Sequence, residues 1–242
     1  MPNGDRLAVC VSTQAGCRMG CRFCATGEAG FTRSLTADEI YAQAAHVGQD
    51  FGQRMTSVVL MGQGEPFNNY DETLAAMRLM NSEDGLGIGA RHITVSTCGV
   101  VPQIRRFASE PEQFGLALSL HSAVPETRNL LMPGVRKHSL KRLHDVMKDY
   151  TEKTHRRPTY EYAMIAGVND DEPHLDALVD FCRGTLCHVN LIPFNEHSGS
   201  KLKPSSEERI DRFVKVLEGV GVETTVRRSR GTDIDAACGQ LK

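Results

Sequence analysis

The chain of 242 residues has no stretch of eighteen consecutive apolar residues, and its N-terminal segment MPNGDRLAVCVST has no apolar run behind a basic one. Neither a membrane-spanning helix nor a secretion signal is therefore expected. Charge of one sign is scarce too, since 28 Lys and Arg stand against 30 Asp and Glu for a formal net charge of -2. Free-standing nucleic-acid binders normally carry a positive excess, so composition alone does not point to RNA. Eight cysteines are too few for a disulfide scaffold in a chain of this length. Without internal repeats, low-complexity tracts or a clear linker, residues 1–242 read as one domain with a cytoplasmic address.

With 40% apolar side chains, the chain can bury a substantial core. Apolar runs of strand length lie at 7–12, 57–61, 92–96, 114–120, 160–165 and 188–192. Helical patterns fall between and after them, near 36–50, 71–81, 100–108, 139–152, 173–183 and 205–220. Strands apolar on both faces and joined by crossover helices predict an α/β fold: a partial (β/α)6 TIM-like barrel built on a buried parallel sheet. Thr36 with Glu39 forms a capping box, Pro173 suits a first helical turn, and Ser205 or Ser206 precedes the acidic turn Glu207-Glu208. The segment 197–206 reads as an exposed loop.

Cys17, Cys21 and Cys24 are spaced C-x3-C-x2-C. A 4Fe-4S cube held by three thiolates leaves one iron open to bind and reduce a small molecule. Two other readings stand beside it: structural zinc with Cys10 as a fourth thiolate, and a set of unrelated buried thiols. Polar and glycine neighbours argue against the second.

In α/β barrels reactive groups gather at the carboxyl ends of strands. The cysteine loop follows the first predicted strand and Gly62-Gln63-Gly64-Glu65-Pro66 the second. Ser96 and Thr97 end the third, Ser119 and His121 the fourth, and Asn195 follows the sixth. Glycines after a strand let backbone groups approach a ligand closely. The basic groups Arg105-Arg106, Arg136-Lys137, Arg156-Arg157 and Arg227, Arg228 and Arg230 read either as solvated faces or as phosphate contacts.

The segments CVSTQAGCRMGCRFCATGEAGFTRSLTADEI, VVLMGQGEPFNNYD, HITVSTCGVVPQI, LALSLHSA, NLIPFN and RGTDIDAACGQL resemble, in order and nearly end to end, the radical S-adenosylmethionine (radical SAM) RNA adenine methyltransferases of the RlmN and Cfr type. The resemblance implies that Cys17, Cys21 and Cys24 hold a 4Fe-4S cluster. It also implies that Gly64, Glu65, Ser96, Ser119, Leu120, His121 and Asn195 line a SAM site. Cys238, in the C-terminal segment 222–242, matches the family's methyl-carrying cysteine, and Cys10 the thiol that resolves the RNA adduct by forming a disulfide. Cys98, Cys182 and Cys187 have no such role and read as core thiols.

The implied substrate is an adenosine of 23S rRNA, with tRNA as a second target and a flavodoxin-type protein as electron donor; a monomer is the default. Carbon 2 is the first candidate position and carbon 8 the alternative, both electron-poor carbons with no lone pair for polar methylation. Members of that family normally carry an N-terminal RNA-engaging domain, whereas this chain starts nine residues before Cys10. The family's proton-accepting glutamate lies upstream, so no residue here inherits it. Two rival functions remain: a radical SAM enzyme with a smaller, non-RNA substrate, and a zinc-stabilised RNA-binding module.

Overall fold

The protein is seen in a computed structural model that describes residues 2–3, 6–227, 231, 234 and 236–241, with side chains from residue 6 onward. Arg228 and Arg230 of the predicted basic cluster lie outside the described residues. The strands are β1 (Pro2–Asn3), β2 (Arg6–Cys10), β3 (Gln14–Gly16), β4 (Phe31–Ser34), β5 (Ser57–Leu60), β6 (Ile93–Thr97), β7 (Gly115–Ser119), β8 (Thr159–Met164), β9 (His188–Pro193) and β10 (Glu223–Val226). The helices are α1 (Ala25–Ala29), α2 (Ala37–Phe51), α3 (Tyr70–Asn81), α4 (Val101–Phe107), α5 (Pro125–Leu131), α6 (Leu140–Thr154), α7 (Glu172–Cys182) and α8 (Glu207–Gly219).

One sheet has the order β1-β2-β5-β6-β7-β8-β9-β10, with β1 antiparallel and the other seven strands parallel. Among the described residues β2 and β10 do not pair, so the sheet curls as an open half-barrel. Parallel strands need cover on both faces, and β8 is buried over its last five residues. The helices supply that cover. In α8, for example, Ile210, Phe213 and Leu217 face inward at helical spacing, each contributing about 2 kcal/mol by burial.

The α/β half-barrel expected from the sequence is present, and the six predicted strands correspond to β2, β5, β6, β7, β8 and β9. The sheet has two strands more than predicted, the two-residue β1 at one edge and β10 at the other. β10 carries only Thr224 buried among its four residues, so it offers no apolar run to find. The short ribbon β3–β4 and helices α1 and α5 escaped for the same reason.

The predicted caps hold. Thr36 and Glu39 satisfy one another's backbone amides at the start of α2, Pro173 lies in the first turn of α7, and the Ser206 side chain accepts from Arg209 N. The loop 197–206 is less open than expected, because His197 and Ser205 are buried and Pro204 bridges to Ile165. Beside the main core lies a smaller cluster that includes Met19, Cys98, Met132 and Phe194, against which Cys17, Cys21 and Phe23 pack.

Candidate active site

The cysteine loop is clamped between the two strands of the β3–β4 ribbon, and Cys17 N donates to Gly30 O at 2.8 Å. Helix α1 lies on the loop because Gly27 has no side chain: a Cβ there would stand 2.7 Å from Cys21 N and 2.8 Å from Cys21 O. The segment after β7 holds the loop's other side, with Arg22 N on Leu131 O and Gly134 N on Met19 O, both at 2.9 Å. The loop after β5 completes the clamp: Gln63 O accepts from Thr13 N, and its side-chain oxygen accepts from Gly16 N at 3.0 Å. Gly64 has φ +105°, and a Cβ on it would meet the Gln14 side chain at 2.7 Å. Its missing side chain thus serves close approach of the chain to itself.

These segments enclose a cavity of about 170 Å³ at the carboxyl ends of the strands. Cys17, Cys21 and Cys24 line it, and so do Gly64, Glu65, Ser96, Ser119, His121 and Asn195. Cys238, more than two hundred residues from the triad in sequence, lines the same cavity. The tail is tied down by Ala25 N on Gly239 O at 2.7 Å, Asn195 Nδ2 on Cys238 O at 3.0 Å and Gln240 Nε2 on Glu196 O at 2.7 Å. Two predicted residues do not line the cavity. Leu120 is fully buried in the main core, and Cys10 sits at the end of β2 with solvent access.

Burial pushes the Cys17 thiol up to about 11, and neighbouring Glu65 and Cys24 add to the rise. Cys21 is pushed up further, first by burial and then by Cys24 and Cys17. Thiols that oppose one another's ionisation are thiols held close together. Yet among the described residues no three His, Cys, Asp or Glu side chains converge enough to hold a single ion. Zinc needs its thiolates about 2.3 Å from one point, whereas a cube takes each thiolate on a different iron. Three thiols lining one cavity are the donor set that a cube with one open iron takes, and Cys10, outside the cavity lining, is not placed among them as a fourth.

Glu65 is buried, its carboxylate accepts from Phe67 N at 3.0 Å and from Cys98 N at 2.8 Å, and burial raises its pKa. Its side chain is committed to shaping the loop. His121 adopts φ +54°, and its Nδ1 accepts from Ala163 N at 3.0 Å. Burial, then the Arg128 charge, lowers its pKa to about 3, so the ring is neutral. The Ser96 and Ser119 hydroxyls lie 3.2 Å apart on adjacent strands. The protein around Cys10 pushes its thiol up to about 11; the charge on Cys238 is the next cause, while Met61 N and Arg227 pull the other way.

Four site residues were not foreseen as such. Glu161 is a buried acid inside an apolar strand, lines the cavity and accepts from Asn190 Nδ2 at 2.8 Å; a charge inside YEYAMI was the available signal. Arg227 lines the cavity from just beyond β10. Arg128 is 2% exposed and donates to the carbonyls of Cys98, Leu120 and Ser119; nothing in the sequence marks it. Cys98 is buried as expected, but at the cavity wall. Cys182 and Cys187, read as core thiols, are buried and hydrogen-bonded to one another.

A profile of the Radical SAM superfamily matches residues 11–179. The chain is 51% identical over 236 residues to a probable dual-specificity RNA methyltransferase RlmN of Pelotomaculum thermopropionicum, covering 97% of this chain and 64% of that protein. It is 48% identical to the protein of the same name from Clostridium perfringens, covering 97% and 68%. Among solved structures, a radical SAM methyltransferase from Sphaerobacter thermophilus superposes with a TM-score of 0.96 at 47% identity, covering all of this chain and 72% of that one. This chain therefore spans about two thirds of the length of the curated relatives it matches.

Proposed function

We propose a function from one premise: the chain belongs to the radical SAM superfamily and, within it, to the family of dual-specificity RNA methyltransferases named RlmN. Its activity is transfer of a methyl carbon from SAM to an sp2 carbon of an adenosine in RNA, carbon 2 before carbon 8, with 23S rRNA as the first substrate and tRNA as the second. The observation that carries this proposal is the meeting of Cys238 with Cys17, Cys21 and Cys24 around one cavity.

The family implies a 4Fe-4S cluster and SAM. Cys17, Cys21 and Cys24 are the residues that would hold the cluster, and the Ser96 and Ser119 hydroxyls and the Asn195 amide are polar groups available to SAM. When bound, the pair supplies one-electron chemistry at a carbon too electron-poor for displacement on a sulfonium. The chain's own task is to carry the carbon. The Cys238 thiolate would accept the methyl group as a thioether; once the one-electron chemistry had removed a hydrogen from that methyl, its carbon would bond to the adenine carbon, which gives up its own hydrogen as a proton together with one electron.

Release of that adduct falls to Cys10. A thiol held near 11 is almost wholly protonated at neutral pH and a poor nucleophile. Its attack on the Cys238 sulfur would close a disulfide and free the methylated base, with the electron pair of the S–C bond leaving on carbon, where a proton completes the methyl group.

The test is anaerobic turnover of the full chain with SAM, dithionite and an unmodified RNA hairpin carrying an unpaired adenosine, followed by nucleoside analysis. A methylated adenosine supports the proposal, and its chromatographic identity decides between carbon 2 and carbon 8. Deoxyadenosine formed with no methylated nucleoside refutes it.

A further inference from the structure

A second cavity, of about 630 Å³, opens beside the first and is lined by Arg136, Lys137, His138, Lys141 and Arg142, with Arg128 at its floor. No acidic residue lines it. Arg136, Lys137, Lys141 and Arg142 are exposed. Among the described residues none of these four takes part in an ion pair, whereas Arg33, Arg78, Arg106, Arg157, Arg209 and Arg212 all do. Four unneutralised cations around one concavity create a positive field. His138 feels it: burial, then Arg142, Lys137 and Arg128, lowers its pKa.

The groove is coupled to the first cavity through a single turn of chain. Arg128 Nη2, from its floor, donates to Cys98 O at 2.7 Å, and Cys98 lines the active-site cavity. Met132 lines that cavity as well, while Gly134, two residues on, bonds to Met19 of the cysteine loop. Arg136 follows within the same stretch. The groove and the active-site cavity are thus one hydrogen bond apart, between Arg128 and Cys98.

We propose that this groove is the surface on which the RNA backbone docks, its phosphates neutralised by Arg136, Lys137, Lys141 and Arg142. The inference rests on the RNA reading given above and adds the site. With a net charge of -2 for the whole chain, the protein cannot attract RNA by overall charge. Phosphate affinity has to come from a local concentration of cations, and this groove supplies one beside the reacting centre. Arg136 and Arg142 can grip a phosphate with two N–H groups each, and the two lysines add point charge.

The test is binding of the same RNA hairpin by fluorescence anisotropy across a salt series, with turnover run on dithionite so that no protein donor takes part. Arg136→Gln/Lys137→Gln and, separately, Lys141→Gln/Arg142→Gln are compared with Lys215→Gln, an exposed lysine of α8 outside the groove. Each groove pair should weaken binding about tenfold at 0.1 M salt and reduce the slope of log affinity against log salt by about 1.5. Deoxyadenosine formation without RNA should stay at the wild-type level, and Lys215→Gln should change nothing. Using two pairs keeps the test decisive if one fails to fold. Wild-type slopes in both pairs, with the parent protein binding and methylating RNA, would overturn the groove and leave the function standing. In a parallel turnover run with a reduced acidic flavoprotein in place of dithionite, pairs that keep RNA affinity but lose turnover would also overturn it, assigning the surface to that donor. A parent protein that forms deoxyadenosine yet neither binds nor methylates RNA would overturn function and groove together.

Discussion

Replacing Arg128 by methionine isolates the group that ties the strand ends to the helix after β7. Its guanidinium is buried, and its partners are three carbonyl oxygens: Cys98 O at 2.7 Å, Leu120 O at 3.1 Å and Ser119 O at 3.4 Å. Methionine fills similar volume but donates nothing. The first two carbonyls would be left dry, at about 1–3 kcal/mol each, and the third, already long, adds little. Against this stands the several kcal/mol that burying a guanidinium costs, recovered in the variant. Removing one side of a buried charged network usually leaves a net loss, here about 3 kcal/mol. In urea unfolding of the cluster-free protein, that loss moves the midpoint down by about 1 M. Arg128→Lys keeps the charge but cannot reach two carbonyls with a fork, so it should recover only part of the loss. A methionine variant whose midpoint stays within about 0.2 M of the parent would refute the reasoning, because the carbonyls would then not depend on the guanidinium.

Three further outcomes are expected. His121 is neutral in the fold with a pKa near 3 against an unfolded value of about 6.5. Its contribution to stability is whole above pH 6.5 and is lost as pH falls toward 3, amounting to about 2 kcal/mol by pH 5; a His121→Asn variant with the same acid sensitivity as the parent would contradict this. Gly27→Ala forces a methyl against the Cys21 backbone, so reconstituted protein should keep its helical circular dichroism but lose most of its iron; full iron loading would show that the loop yields. Cys10, held up partly by the charge on Cys238, should alkylate slowly at pH 9 and faster in Cys238→Ser. Equal rates would mean that the two sulfurs do not sense one another.

Much of this architecture was legible because parallel strands buried on both faces leave apolar runs, and caps such as Thr36–Glu39 use side chains that leave a mark in sequence. That Cys17, Cys21 and Cys24 and the residues at the strand ends gather round one cavity was legible through their spacing and position. What stayed hidden depends on distant pieces of chain. Arg128 acts through carbonyls that any residue could supply. β10 is held by its pairing with β9 rather than by apolar side chains of its own. Gly64 and Glu65, singled out as ligand contacts, spend their backbone shape and carboxylate on Gln14, Phe67 and Cys98. The basic run at Arg136-Lys137 left a solvated face and phosphate contacts both open in the sequence, and only folding brings Lys141 and Arg142 round the same hollow.

The central claim is that the Cys238 sulfur carries the carbon destined for RNA. Peptide mass spectrometry of the full chain, reconstituted with iron and sulfide and incubated anaerobically with SAM and dithionite, tests it directly. The account predicts one methyl group on the peptide containing Cys238, absent from Cys238→Ser and lost when unmodified RNA is added. An unmodified Cys238 in protein that holds its cluster and has turned over SAM would contradict it.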